Sequence, residues 1–393
     1  MINLYNLECK KKFPKKLNIN DFFTRINDFN LTNKKKIIYI KEEFEVTTFR
    51  YRAYNVMQAL DKSVKYEATC FLVEELKVVS KLLDKIDLII LQRCKWSVEL
   101  EAFVKYAKLK NKKIIYDMDD LIYDTKYISD YISNIGDYTT LSTENLASMS
   151  GLYKMAMNLC DGFIASTEKL QEAMRKDFKK DVYLFHNFLN IEQQNISENI
   201  ISQKKNNKAR NKFIIGYFSG SGTHVRDLDV ALDAIVNLMD KYNDVYFEIV
   251  GSMPISDKLS KFFNNKRLII KPLVPYQKLQ YLIGGVDLNI IPLQKNYFNS
   301  CKSELKYFEA SIVNTLSLAT DNDVYRKIIT DNKNGFLTDE FNWFEKLEYI
   351  YLNIDKFDNV IENARKDVLL KYGCYNQTER LDEMFDNIIG EIQ

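Results

Sequence analysis

The stretch FIIGYFSGSGTHVRDLDVALDAIVNLMDKYNDVYFEIVG (213–251) decides the fold. Two short apolar, β-branched runs, 213–218 and 245–251, enclose a small-residue loop and a segment in which Leu228, Leu232, Ile235 and Leu238 recur at helical spacing. Strand, helix and strand in that order, with both strands apolar throughout, is the unit from which helix-covered parallel sheets are built. The same alternation fills the chain. Runs at 35–40, 87–92, 112–117, 161–166 and 181–186 precede it, and runs at 267–273, 286–293 and 315–320 follow it. The expected fold class is α/β, with two Rossmann-like parallel-sheet domains facing across a cleft and ligands bound outside the carboxyl ends of the strands.

Length agrees, because 393 residues exceed what one ordinary core accommodates. The polar stretch 191–212 reads as a linker or elaborated inter-domain loop. The expected divisions are a 1–33 N-terminal extension, a 34–204 first domain, a 205–373 second domain and a 374–393 closing helix. That last helix carries Leu381, Met384, Phe385 and Ile388 on one face.

The 56 basic and 54 acidic residues nearly cancel, so the chain lacks the footprint of a polyanion binder and nucleic acid is not an expected partner. Cys9, Cys70, Cys94, Cys160, Cys301 and Cys374 lie far apart without metal-ligand spacing, which fits free thiols in a reducing compartment and no metal site. No apolar run reaches bilayer-spanning length, and the expectation is a soluble cytoplasmic protein. The basic clusters 10–16 and 33–38 are either solvated or touch an anionic membrane surface, so peripheral contact at the inner face of a cell membrane stays open.

The loop after the 213–218 run contains Gly220, Ser221, Gly222, Thr223 and His224 and leads into a helix. Amides freed at such a junction can hold an anion, and Arg226 stands in the first turn, where a cation opposes the helix dipole. A full G-x-G-x-x-G would need glycine at 225, where the chain has Val225, so a purely structural turn explains the glycines equally well. A second junction lies in FNSCKSELKYFEASIVNTLSLAT (298–320). There Ser303 is the expected N-cap, and Leu305, Phe308 and Ile312 form the buried face. Lys302 and Lys306 can flank a diphosphate while Glu309 accepts hydrogen bonds from ribose hydroxyls; alternatively Lys306 and Glu309 form a surface pair. His186, just before the polar stretch, is the other histidine, and either can titrate near neutrality.

On the first half, Asp117, Asp119 and Asp120 end a strand in YDMDD. They can orient hydroxyls or act as a base, bind a metal, or cap a helix. Arg50 and Arg52 in TFRYRAYN follow the first strand and either bind an anionic acceptor or pair locally.

FIIGYFSGSGTH, VPYQKLQYLIGGVDLNIIPL, CKSELKYFEASIVNTLSLAT and NGFLTD together resemble the nucleotide-sugar-binding domain of GT-B glycosyltransferases, specifically the retaining family-four group. TFRYRAYNVMQAL, KKIIYDMDDLIYD and IASTEKL resemble the acceptor-side domain of bacterial members that build surface polysaccharides or glycoproteins. The resemblance spans about residues 35 to 390. It implies transfer from a nucleoside-diphosphate sugar to a glycan, lipid-linked or protein acceptor, with retention, no metal and no other cofactor. It places Glu309 at the second glutamate of a Glu-x7-Glu motif that holds the ribose, Arg226 about where a lysine contacts the diphosphate, and Leu273 and Val274 where backbone groups meet the base. The first motif glutamate is replaced by Cys301. Arg226, Lys302 and Asp119 are then the catalytic candidates, the cations stabilising the leaving diphosphate and the carboxylate serving the acceptor hydroxyl. The Cys301 departure keeps open a non-catalytic accessory subunit of the same fold, and a sugar-nucleotide epimerase is the other alternative.

Overall fold

The computed structural model describes residues 17, 19–29, 31–45, 47–135, 143–206, 211–220, 225–251 and 253–390. The first unit is a six-stranded sheet of β1 (Lys35–Lys41), β2 (Tyr66–Leu72), β3 (Leu88–Gln92), β4 (Lys113–Met118), β5 (Gly162–Ala165) and β6 (Val182–Leu184), in spatial order β2-β1-β3-β4-β5-β6. The second is β7 (Phe213–Ser219), β8 (Val245–Gly251), β9 (Leu268–Lys271), β10 (Leu288–Ile291), β11 (Leu316–Thr320) and β12 (Phe336–Thr338), in order β12-β11-β10-β7-β8-β9. Every strand pair is parallel. Central strands such as β3 and β10 are buried at every position, which is why they read as unbroken apolar runs. Register follows the same logic: Ile89 lies between Ile38 and Ile114.

The helices are α1 (Phe22–Phe29), α2 (Asn55–Leu60), α3 (Val98–Leu109), α4 (Ile128–Ile135), α5 (Thr143–Asn158), α6 (Glu168–Phe178), α7 (Ile191–Asn206), α8 (Val225–Lys241), α9 (Tyr276–Gly284), α10 (Leu305–Ser311), α11 (Trp343–Asn353), α12 (Asp358–Tyr372) and α13 (Thr378–Gly390). A π-helical turn, Arg50–Tyr54, precedes α2. Such turns are uncommon and concentrate at functional sites.

The stretch read as a linker is largely the helix α7. Its inner face is mixed: Gln193 and Ser197 are fully buried and bond to Gln280 of α9, and Ile200 and Ile201 are buried further along it. Ile200 packs so closely on Gly284 that a Cβ there would come within 2.5 Å of it. A buried face that opens on glutamine and serine interrupts the hydrophobic period that would reveal it.

The expected closing helix is present as α13, with Leu381, Phe385 and Ile388 fully buried. It returns to the first unit, where Asp386 accepts from Lys65 and Tyr66 at 2.6 Å and Thr378 donates to the Ala59 carbonyl at 2.8 Å. One apolar cluster runs across both units, joining Phe185 and Phe188 to Phe308, Tyr372 and Phe385. The cleft is therefore closed at its base by packed side chains. Gly251, at the end of β8, has φ +134° and lies so near β7 that a Cβ would meet the Ser219 carbonyl at 1.8 Å, so only glycine fits.

Among the described residues, Cys70, Cys94, Cys160, Cys301 and Cys374 are free and buried; Cys9 lies outside them. No helix among the described residues is long and apolar enough to cross a membrane.

Candidate functional site

Parallel strands deliver their carboxyl ends, and the loops after them, to one edge of each sheet. On the second unit the segment after β10 makes a single helical turn, Tyr297–Ser300, capped by Asn296, whose Oδ1 accepts from the Asn299 amide at 2.8 Å. The chain then passes through Cys301, Lys302 and Ser303 into α10. Glu304, not Ser303, is the N-cap residue, and it makes no side-chain cap bond. Ser303 instead donates its hydroxyl to the Glu304 carboxylate at 3.3 Å.

Asp227, in the first turn of α8, organises the cations. It is fully buried, and its Oδ1 accepts from the Gln294 amide at 3.0 Å and from Asn299 Nδ2 at 2.9 Å. Lys302 Nζ lies 3.5 Å from Asp227 Oδ2. Burial pushes the Lys302 pKa down, while Asp227 and Asp120 of the first unit pull it up. Lys306 is different. Its stem is partly exposed, but its Nζ is buried without a hydrogen-bond partner among the described residues, 4.6 Å from the centroid of Tyr217. Burial lowers its pKa to about 8 against the attraction of Asp227 and Glu309. The surface pair of Lys306 with Glu309 does not form.

Glu309 points into the first unit. Tyr51 donates its hydroxyl to Oε1, Gln193 Nε2 donates at 3.3 Å, and Arg50 Nη2 lies 3.6 Å away. Arg50 is held between the rings of Tyr51 and Tyr276, at 4.0 and 4.4 Å from their centroids. The π-helical turn thus puts an arginine and a tyrosine onto the proposed ribose ligand.

The remaining first-unit candidates turn inward. Arg52 grips Asp117 through Nε at 2.8 Å and Nη2 at 2.9 Å, and donates Nη1 to the Phe185 carbonyl at 2.6 Å and to Asn187 Oδ1 at 3.1 Å. Both are almost fully buried, so of the alternatives for Arg52 the structure shows local pairing. Asp119 accepts from Arg93 Nη1 at 3.3 Å, and Asp120 accepts from the Leu121 amide at 3.1 Å with its carboxyl raised by burial. Cys301 is fully buried in the apolar cluster of the first unit, its thiol pushed up to about 12 by burial, and its carbonyl accepts from Thr167 at 2.9 Å. That position does not face the cations.

Gly220 ends β7 with nothing within 4 Å of an added Cβ, so crowding does not require glycine there. Arg226 is exposed, Leu273 is exposed, and Val274 packs on the core. Ser221, Gly222, Thr223 and His224 lie outside the described residues.

Sequence reasoning passed over Asp227 and Glu304. Glu304 is 3% exposed, accepts from the Tyr372 hydroxyl at 2.7 Å, and lies 3.5 Å from His186 Nδ1. Burial opposes charge on both, yet the pair prevails: the His186 pKa is raised by Glu304 and Glu168, and the Glu304 carboxyl is lowered by His186 and Tyr372. The signal was the Lys-Ser-Glu order itself, one residue before the helix, masked by the expectation of a serine cap. His186 and Glu304 border a cavity of about 680 Å³ between the units.

Residues 198–367 match the family described as Glycosyl transferases group 1. No curated protein matches the chain in sequence. Among solved structures, Anabaena HepE in complex with UDP shares 13% identity and a TM-score of 0.58, covering 90% of this chain and 100% of that one. A glycosyltransferase from Rickettsia africae shares 15% at TM-score 0.60, covering 91% and 99%. The catalytic domain of Arabidopsis thaliana starch synthase IV, bound to ADP and acarbose, shares 10% at TM-score 0.62, covering 91% and 100%. These likenesses carry the fold: two parallel-sheet units in the GT-B arrangement.

Proposed function

We propose that this protein is a glycosyltransferase that moves a sugar from a nucleoside-diphosphate donor to an acceptor hydroxyl, with retention of anomeric configuration and without a metal ion. The observation that carries the reading is Lys306: a buried amine with no hydrogen-bond acceptor among the described residues, beside Lys302, at the carboxyl edge of the second sheet. A buried ammonium without an acceptor is costly, and a diphosphate oxygen supplies the missing partner. Leaving-group charge would then meet fixed cations, Lys302 and Lys306 with Arg226 at the loop, in a site that needs little reorganisation.

In this reaction the bond from anomeric carbon to phosphate oxygen breaks and its electron pair leaves with the diphosphate. The acceptor oxygen forms the new bond on the same face, and its proton passes to the departing phosphate. Asp119 is the carboxylate proposed to orient the acceptor, and Leu273 and Val274 are proposed to meet the base. Glu309 is the proposed ribose ligand; the sugar's hydroxyls would displace the Tyr51 hydroxyl that now occupies it. Solved neighbours whose structures contain UDP or ADP support the class of donor. The acceptor is proposed to be a glycan, lipid-linked or protein-borne hydroxyl met in the cytoplasm.

The test is a melting-temperature panel of UDP, GDP, dTDP and ADP in the presence of a chelator. One nucleotide should stabilise the protein by mass action, and Glu309→Gln should reduce that shift. A panel with no stabilisation, or stabilisation only when magnesium or manganese is restored, would defeat the reading.

A further inference from the structure

The 680 Å³ cavity is lined by α6 and β6 of the first unit, by α12 of the second and by α13, which returns to the first, with Glu304 at its floor. Its chemistry is graded. Beside buried Glu304, half-exposed His186 stands between two carboxylates, Glu304 Oε1 at 3.5 Å from Nδ1 and Glu168 Oε1 at 3.7 Å from Nε2. Lys327 closes the group, 3.3 Å from Glu168 Oε2. Groups that donate and groups that accept are thus set side by side, which is what a sugar hydroxyl, itself donor and acceptor, requires. At the mouth, Arg175, Lys371 and Arg380 are exposed. Among the described residues none of the three has a carboxylate in ion-pair range; Arg175 and Arg380 are steadied by the carbonyls of Val182 and Lys371, at 3.0 and 3.1 Å. Asp323 and Glu383 also line the cavity and are the acids an anion would have to avoid.

The placement relative to the cations matters. Glu304 follows Lys302 and Ser303 directly, so its side chain enters the cavity where its backbone adjoins the proposed diphosphate site. Arg52 and Asp117 offer no comparable cavity, being buried.

We propose that this cavity is the acceptor site, that it takes a sugar carrying an anionic substituent, phosphate or carboxylate, and that His186 with Glu304 holds the reacting hydroxyl while Arg175, Lys371 and Arg380 hold the anion. The proposal rests on the nucleotide-sugar reading of the adjoining site. It assigns the acceptor to the hinge side of the cleft, lined by α13, and gives His186 with Glu304, in place of Asp119, the holding of the acceptor hydroxyl.

The chain has two histidines, so histidine-selective labelling gives a two-signal NMR spectrum, and His224→Gln assigns the His186 signal. Full-length protein is titrated with glucose 6-phosphate, glucuronate and glucose, each with and without UDP. The two charged sugars should move the His186 signal saturably and glucose should do so more weakly. A Lys371→Gln/Arg380→Gln variant should weaken the charged sugars by about tenfold and leave glucose unchanged. Arg175→Gln gives a second readout if that variant unfolds. The proposal is overturned if no sugar moves His186, if charged and neutral sugars bind alike, or if the rim variants bind as the wild type does. Nucleotide binding is followed in parallel by melting temperature. UDP, GDP, dTDP or ADP binding with a silent His186 defeats this inference alone, whereas a responsive His186 with no stabilising nucleotide defeats the donor reading and leaves the cavity standing.

Discussion

Replacing Lys306 by methionine should make the empty protein more stable and its nucleotide binding worse. Methionine keeps the length of the stem and its contact with Tyr217 while removing an ammonium that has no acceptor. The drop of the Lys306 pKa from 10.5 to about 8 corresponds to roughly 3 kcal/mol against the charged form. Some of that returns as lost cation–π attraction, leaving a gain of about 2 kcal/mol. For a unit of this size each kcal/mol is worth about 2–4 °C, so the melting temperature should rise by roughly 4–8 °C at pH 7. The pH dependence has a definite sign. Because the folded pKa lies below the unfolded one, the unfolded chain binds more protons between pH 8 and 10.5, and wild-type stability from this group rises with pH across that window. The penalty is complete below pH 8 and absent above 10.5, so the advantage of Lys306→Met should shrink as pH rises from 7 to 10. Scanning calorimetry of both proteins at several pH values measures this. A variant less stable than wild type at pH 7, or an advantage constant with pH, would refute the reasoning.

Three further outcomes follow from single contacts. Tyr51→Phe removes a hydrogen bond to Glu309 from across the cleft and should tighten nucleotide binding by about three- to tenfold, read by calorimetric titration; unchanged or weaker binding would show that Tyr51 does not compete with the ribose. Arg52→Ala leaves Asp117 buried without its partner and should cost about 3–5 kcal/mol in denaturant unfolding, against under 1 kcal/mol for a surface pair. Cys301→Glu restores the motif residue by position, yet it puts a carboxylate into an apolar cluster; it should lower the melting temperature and raise no activity, and a stable, more active variant would show that this side chain does reach the site.

Both sheets were legible because burial on two faces leaves unbroken apolar runs, as in β3, β7 and β10. β2 escaped because Glu67 and Thr69 interrupt it at the sheet edge, and β12 because three residues carry no period. α7 escaped because buried glutamine and serine interrupt its contact face. In the site, the types and spacing of Lys302, Lys306 and Glu309 could be read from one helix. Their partners could not, since Asp227 lies 75 residues from Lys302 and Tyr51 lies 258 from Glu309. Such pairings are set by tertiary packing, which local pattern does not encode. The same holds for Arg52 with Asp117, whose charges suggested ligands before their mutual distance was known.

The most direct measurement is calorimetric titration of UDP, GDP, dTDP and ADP into wild type and Lys306→Met, with a chelator present. One nucleotide should bind the wild type, and the variant, though folded and more stable, should bind it at least about tenfold more weakly. Equal affinity in the two proteins, or no binding by the wild type, would contradict the assignment of the Lys302–Lys306 cluster as the diphosphate site.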